Sequence, residues 1–570
     1  MIKRVSTLTM LGLSIGGVVG VMAVGFVEAV LWLNDLLFVS PETRATAPGR
    51  GFVIAMTIGV PTVGGLVVGL LANMMTDSRF HGPLDAIRTA QSLDANMPVK
   101  SSVTSTLAAC ISLGSGASVG QYGPLAHMGA SIGSWISRLT GGDRSLGKIG
   151  LACGAAAAIS AAFHAPIAGL VFSREVMLRH YSLRAFAPIA VAATLGYVVA
   201  SVVFQRTPLF EVGELAVASP YEYLVFISIG ILGAVVATLF MRAIEYAGTV
   251  ARNLAWPVPV KTALAGLALG IVALQIPEVL GIGQEVLREA MIGNVFDAAD
   301  LALILVAKLL VTALCLGAGF AGGVFSPALL IGTLFGALIG TGAEWLVSGQ
   351  LSPIAVYAVC GMVAVTSPVI GAPLTTVLIV FELTHNYDLA TVALVSVAFS
   401  NLIGYRIYGR SFFDVQLQSQ GFDLSQGRGK VAAHQHTIRE LLNQEYTTGN
   451  ADDTLADIRE ALIKDNRSEA YIVDASAEYQ GTLTLHRLMK LTATGTPLNE
   501  PAGPAAEWES LVLSPDTTIW AAMETMEDFV GESIPVLDGK QLVGVLFEST
   551  IVSAYLDILE DIRREENEVV

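Results

Sequence analysis

Charge is scarce in this chain. Asp, Glu, Lys and Arg make up 14% of its 570 residues, against 53% hydrophobic. That balance excludes an ordinary soluble enzyme and places most of the chain in a membrane. Cysteine is scarce as well: Cys110, Cys153, Cys315 and Cys360 lie in small-residue or apolar stretches, without a disulfide framework or metal-ligand spacing. They read as small packing residues. The eight histidines share no metal-ligand spacing, and no nucleophile–base pair or phosphate loop is legible. No enzyme, no metal and no catalytic residue is expected. Basic charge is missing where nucleic acid would need it. Residues 431–570 carry 26 acidic and 9 basic side chains, a net of −17, so the chain's total of −16 leaves residues 1–430 near neutral. The acidity belongs to a C-terminal soluble part and argues against a nucleic-acid partner.

What the chain does have is apolar runs, at 5–38, 51–75, 101–116, 123–139, 149–178, 185–205, 221–248, 260–281, 301–317, 324–347, 353–383 and 389–408. A helix needs roughly 20 such residues to cross a bilayer. The first run is too long for a secretory signal and reads as a first membrane helix, with Lys3 and Arg4 favouring a cytoplasmic N-terminus. Other runs are short or split by Gly and Pro. Broken helices are tolerated at membrane depth only where they pack in protein or line a watery cavity, as in transporters and channels. Cys153-Gly154, Ala165-Pro166 and Glu175 recur as Cys360-Gly361, Ala372-Pro373 and Glu382, all at an offset of 207 residues. This is the mark of a duplicated membrane domain with its site between the halves. Glu175 and Glu382, matched in this way, are expected at helix ends or interfaces.

Two further segments echo each other: Gly120-Gln121-Tyr122-Gly123-Pro124 and Gly323-Val324-Phe325-Ser326-Pro327. A helix N-terminus offers unpaired N–H groups and about half a positive charge. Glycine lets backbone approach an ion, and proline suits the first helical turn. Such ends can replace an anion's hydration without trapping it. The competing reading is close helix packing. Of the histidines nearby, His127 and His164 read as hydrogen-bonded structural residues. His81 is open between that role and attracting an anion at low pH.

The paired motifs resemble those of the CLC family of chloride channels and chloride/proton antiporters. The resemblance implies an all-α polytopic membrane protein over residues 1–417, an inverted-repeat CLC-type fold with broken and re-entrant helices. It also implies a homodimer with one pathway per subunit, chloride or a similar small anion as partner, and contact with membrane lipids. The location implied is the plasma membrane, or the inner membrane of a bacterium, with both termini cytoplasmic. The anion pathway would comprise Gly120, Gln121, Tyr122, Gly123, Pro124, His81, Gly82, Gly323, Val324, Phe325 and Phe413.

This sequence departs from the family pattern at the residues that carry protons. The first motif usually reads G-R-E-G-P, and its glutamate is the gate and external proton carrier; here that place is Tyr122. A third motif, G-S-G-I-P, is matched by Arg79-Phe80-His81-Gly82-Pro83, so its serine falls on Phe80 or His81. After Ser411-Phe412 the family's tyrosine becomes Phe413. The internal proton-carrying glutamate becomes Val176, with Glu175 one place earlier. Intramembrane carboxylates are the usual proton carriers, and tyrosine, with a reference pKa near 10, is a poor substitute. The expected function is therefore a passive, proton-uncoupled chloride channel or uniporter, with Tyr122 as gate or as a core aromatic filling the glutamate's space. The alternatives are an antiporter with displaced carriers such as Glu175, and a CBS-regulated cation or solute transporter. The latter calls for acidic residues in the membrane core, and residues 101–172 have few, Asp143 falling in a polar loop.

Residues 418–436 turn polar and read as a linker. Beyond it, units at 437–495 and 505–562 precede an acidic tail, 563–570. Each shows helix, strand, turn, strand and helix, with Asp538-Gly539 a tight-turn signal. They resemble an α/β tandem CBS pair, a common appendage of CLC proteins. In nucleotide-binding CBS units an aspartate in G-x-x-T-x-x-D holds the ribose; here Arg487 and Thr550 stand in its place. An adenine nucleotide is thus disfavoured, no other cofactor is expected, and the pair reads as a dimer-stabilising element.

Overall fold

The computed structural model describes residues 2–567 apart from 76–78, 93–94, 141–143, 180–182, 211–215, 294, 347–349, 509–510, 528 and 530. Asp143 and the end of the acidic tail, 568–570, lie outside the described residues. The chain divides into two compact units, one ending at Phe422 and the other spanning Asp423–Asn567.

The first unit is helical and built for a membrane. Among the described residues, eight helices are long and apolar enough to cross one, from the N-terminal Thr7–Ala45 stretch to Tyr387–Ser419. Two of them, Leu146–Phe163 and Phe325–Trp345, are almost wholly sheathed by protein, so the core lies around the broken helices. The runs at 149–178 and 353–383 are each two helices. Arg144–Phe163 is followed by Pro166–Phe172, and Ile354–Ile370 by Pro373–Thr384. Proline at the first helical position drives the preceding residue out of the α region, and Ala165 and Ala372 are both non-helical. His164 and Gly371, each just before that alanine, take positive φ of 57° and 71°. The break is thus a repeated feature at the same 207-residue offset.

The two halves are related as an inverted repeat, and their contacts are reciprocal. Helix Arg50–Ala72 packs on Val258–Ala273 with almost no side chain between them. A Cβ on Gly65 would lie 2.3 Å from the Thr262 carbonyl oxygen, and one on Gly266 would lie 2.1 Å from that of Pro61. Within each half the same closeness recurs. Gly154 backs onto Gly129, so that a Cβ would meet its carbonyl oxygen at 1.9 Å, and Gly361 backs onto Gly332 at 2.4 Å. Without a hydrophobic drive between helices in lipid, such small-residue contacts supply the packing.

The second unit holds two α/β lobes. In the first, strand Thr447–Asn450 runs parallel to Glu469–Val473, which pairs antiparallel with Tyr479–Thr484. In the second, Ser533–Asp538 pairs antiparallel with Gln541–Phe547 through the turn at Asp538-Gly539. A parallel bridge from Leu513 to Val536 stands where the first lobe has its parallel strand. That first strand, four residues long, carried too short a pattern to be read from sequence. Within the 418–436 segment, helix Arg428–Ala433 packs on Glu548–Asn567, and Ala433 enters the second lobe's core with Ile438, Ile534 and Val536. The lobes are joined directly: the Tyr479 N–H donates to the Lys540 carbonyl at 3.0 Å, and the Tyr471 and Ser533 hydroxyls bond at 2.6 Å.

Replacing Gly154 or Gly361 by Val is expected to abolish the folded protein, because backbone rather than a flexible side chain occupies the new atoms' space. Even ordinary overpacking costs about 1–3 kcal/mol. Loss of the monodisperse peak in size-exclusion chromatography checks this, with Gly342→Val, where a Cβ meets nothing within 4 Å, as the tolerated control.

Candidate functional site

Both five-residue motifs open helices. Tyr122–Leu139 begins after Gln121, and Phe325–Leu346 begins two residues after Gly323, with Pro124 and Pro327 in the first turns. At those positions proline loses only an N–H that has no partner inside the helix. The two helix ends are joined backbone to backbone. The Gly120 N–H donates to the Gly323 carbonyl at 2.7 Å, and the Gly323 N–H donates to that of Gly120 at 2.8 Å. The Gln121 N–H donates to the Ser326 hydroxyl at 3.2 Å. Glycine is required here, since a Cβ on Gly120 would sit 2.7 Å from the Gly323 oxygen.

A third helix end joins them. Pro83–Gln91 starts after Gly82, with Asp85 receiving the Gly82 N–H at 2.9 Å and an ion pair from Arg79 at 2.7 Å. A Cβ on Gly123 would lie 3.0 Å from the Gly323 Cα and 3.3 Å from the Pro83 ring. So Gly82-Pro83, Gly120–Pro124 and Gly323–Pro327, found far apart in sequence, meet at Gly123. His127, one turn into its helix, is buried with Nδ1 2.9 Å from the Gly82 carbonyl oxygen, and the His81 ring lies 6.2 Å from it. The His81 N–H donates to the Ser105 hydroxyl at 2.8 Å.

Tyr122 is 1% exposed. Its ring stacks on Phe163, with centroids 3.9 Å apart and planes 28° from parallel, and meets Phe325 edge-on at 5.4 Å. Each such pair contributes about 0.5–1.5 kcal/mol beyond burial, so the ring is held firmly. Its hydroxyl lies beside the Gln121 and Gln284 amides, yet has no hydrogen-bond partner among the described residues. Val324, like Phe325, is buried. Val176 is also buried, in a π-helical turn, Ser173–Leu178. Phe413 is buried on helix Phe412–Ser419, which packs on Pro83–Gln91.

The matched glutamates have structural partners, and these cross between the halves. Glu382 accepts from the Ile167 and Ala168 N–H groups at 2.9 and 2.7 Å. Glu175 accepts from those of Leu374 and Thr375 at 3.1 and 3.0 Å and from the Thr375 hydroxyl at 2.8 Å. Each carboxylate therefore caps the broken helix of the other half. The 207-residue repeat hinted at a shared role, but the exchange of partners was not legible. Phe163, Gln284 and Arg288 were missed as neighbours of Tyr122: Phe163 stands just before the repeated Ala165-Pro166 without a signal of its own, and Gln284 and Arg288 lie between apolar runs in a segment that shows no motif.

The family profile described as voltage gated chloride channel matches residues 63–405. The chain belongs to the voltage-gated chloride channel, or CLC, family. A CBS domain profile matches residues 508–557, the second lobe. The chain is 30% identical over 334 residues to a ClcB-like chloride channel protein of Ralstonia nicotianae, covering 58% of this chain and 78% of that protein. Its fold is that of a slow cyanobacterial Cl−/H+ antiporter (TM-score 0.64, 24% identity, 72% of this chain and 97% of the other). It is also that of a eukaryotic CLC transporter (TM-score 0.63, 19% identity, 96% and 99%). This is a multi-pass membrane protein of a channel and transporter family.

Glu175→Ala and Glu382→Ala are each expected to lower the thermal unfolding midpoint by several degrees, since each strands a part-buried N–H donor, of Thr375 or Ala168, at about 1–3 kcal/mol, besides an exposed one. Glutamine at either place should recover part of the loss. Intrinsic-fluorescence melts in detergent measure it.

Proposed function

We propose that this CLC-family protein is a passive, proton-uncoupled anion channel or uniporter, with chloride as its ion. The observation that carries this reading is the residue at the meeting point of the helix ends: a buried, stacked Tyr122 where the family's carboxylate stands, with Val176 in place of the internal one. The helix ends that would hold an anion are kept, while neither side chain can pass a proton at neutral pH. Glu175, the displaced carrier that would restore exchange, is fully occupied in capping Leu374 and Thr375, which speaks against the antiporter alternative. Tyr122 is proposed as the gate, its ring packed against Phe163 and Phe325 across the path between the helix ends. His81, Gly82, Gly120, Gln121, Gly123, Pro124, Gly323, Val324, Phe325 and Phe413 are proposed to line that path. A homodimer, cytoplasmic termini and a dimer-stabilising role for the C-terminal lobes complete the reading. Arg487, at the ribose-aspartate position, pairs instead with Glu507 at 2.9 Å.

Recording chloride and pH together in liposomes tests it: chloride flux without proton movement is expected, and stoichiometric anion-driven proton movement would overturn it. Tyr122→Ala should raise anion flux several-fold, whereas unchanged flux would remove the gate role. Tyr122→Glu alone should not create full proton coupling, because Val176 remains.

A further inference from the structure

A small cavity adjoins Gln121, at the start of the Tyr122–Leu139 helix. It has a volume of about 60 Å³ and lies between the first helix, the end of Arg144–Phe163, and the segments around 206–209 and 284–288. Ala23 and Val24 form one wall, while Gln121, His164, Arg206, Gln284 and Arg288 form the polar one. That volume suits one small ion with a water.

Two residues of the cavity wall carry a buried polar atom without a partner among the described residues, Gln121 Oε1 and His164 Nδ1, and the hydroxyl of Tyr122, next in sequence to Gln121, is in the same state. Buried polar groups are ordinarily paired, so their convergence calls for an occupant. The charges say which kind. Arg288 donates through Nε to the Leu209 carbonyl at 2.8 Å and through Nη2 to that of Pro208 at 3.1 Å. It is thus held by neutral groups and keeps its positive charge. Arg206 is balanced by Glu28 of the first helix. Glu285, on Arg288's own helix, feels that charge but does not line the cavity.

His164 adds a switch. Its Nε2 is 3.0 Å from the Arg206 carbonyl oxygen, which can only accept, so Nε2 carries the proton. In the neutral ring Nδ1 is then a bare lone pair facing the cavity, and an anion is repelled by it. One more proton turns Nδ1 into a charged donor. A carboxylate in this position would compete with an anion for the space; an imidazole recruits one.

We propose that this cavity is a second anion site, for a halide-sized monovalent anion, where anion entry and protonation of His164 favour each other. Resting on the anion-transport reading above, the site makes throughput rise with acidity without proton exchange. The ion is held by Arg288 and by the His164 imidazolium, both in the cavity wall.

Linkage supplies a test that does not depend on flux. In full-length protein carrying 13C-labelled histidine, the resonance lost in His164→Asn identifies His164; asparagine suits the φ of 57° there. Its titration midpoint is expected to rise by about one pH unit when chloride replaces gluconate, equal to about tenfold tighter anion binding by the protonated form, within the usual range of site coupling. In Arg288→Gln the shift should vanish while His164 still titrates. A midpoint equal in both salts means a cavity holding water only, and overturns the proposal. In liposomes at matched pH, flux should rise several-fold from pH 8 to 5.5, with the rise lost in His164→Asn and retained in His436→Asn, a substitution in the C-terminal unit. A rise that survives His164→Asn also overturns it. Absence of chloride flux in the unmodified protein would instead count against the anion-transport reading, leaving the titration shift to stand or fall by itself.

Discussion

Two hydrogen bonds between Gly120 and Gly323 bring the halves of this protein together, and the rest of the membrane unit is arranged around them. A helix that stops inside a membrane frees N–H groups that lipid cannot satisfy. At Pro166 and Pro373 the debt is met by carboxylates exchanged between the halves, Glu382 and Glu175. At Tyr122 and Phe325 it is met only in part, by the glycine pair and by Ser326. The remaining N–H groups of those first turns have no partner inside their helices, and Gly82-Pro83 brings a third helix end against Gly123. The difference between a capped end and an open one is the difference between scaffold and site.

The same reciprocity explains what could be read in the sequence. Glycine and proline at fixed spacing are needed wherever backbone touches backbone or a helix restarts, so the two G-x-x-x-P segments and the 207-residue repeat were visible without a structure. So, apart from Thr447–Asn450, were the strands of the C-terminal lobes, which alternate or run apolar between clear turns. The helix breaks at Ala165 and Ala372 were hidden inside long apolar runs, because both flanks are equally hydrophobic and only a single proline marks each. Arg288 and Gln284 were hidden for another reason. Their short helix, Gln284–Ile292, is mixed in polarity, and only its placement against Gln121 gives those residues meaning.

That placement depends on a buried lysine in a mainly apolar helix. Lys308, fully buried in Ala298–Ala318, donates to the Val279 and Gly281 carbonyls at 2.9 and 2.8 Å. The Gly281 N–H in turn donates to the Gly116 carbonyl at 2.9 Å. The turn that leads into Gln284 is therefore tied on one side to Lys308 and on the other to the segment leading into Gly120. An ionisable residue at membrane depth is costly and normally marks function. Here it spends both bonds on loop carbonyls, so its role is to fix where the Gln284–Ile292 helix begins.

Tyr122 is best understood between these two environments. On one side are helix N-termini, whose partial positive charge suits an anion at any pH. On the other is the cavity proposed as a second anion site, with the His164 imidazole and Arg288 in its wall. A glutamate between them would answer to both by taking up a proton and yielding to the ion, which is how a single side chain ties anion to proton movement in opposite directions. A tyrosine can only move or stay, and its hydroxyl is neutral in either position. On the proposed reading, separating the barrier from the titrating group in this way would let protons set how often an anion passes without any proton having to cross with it.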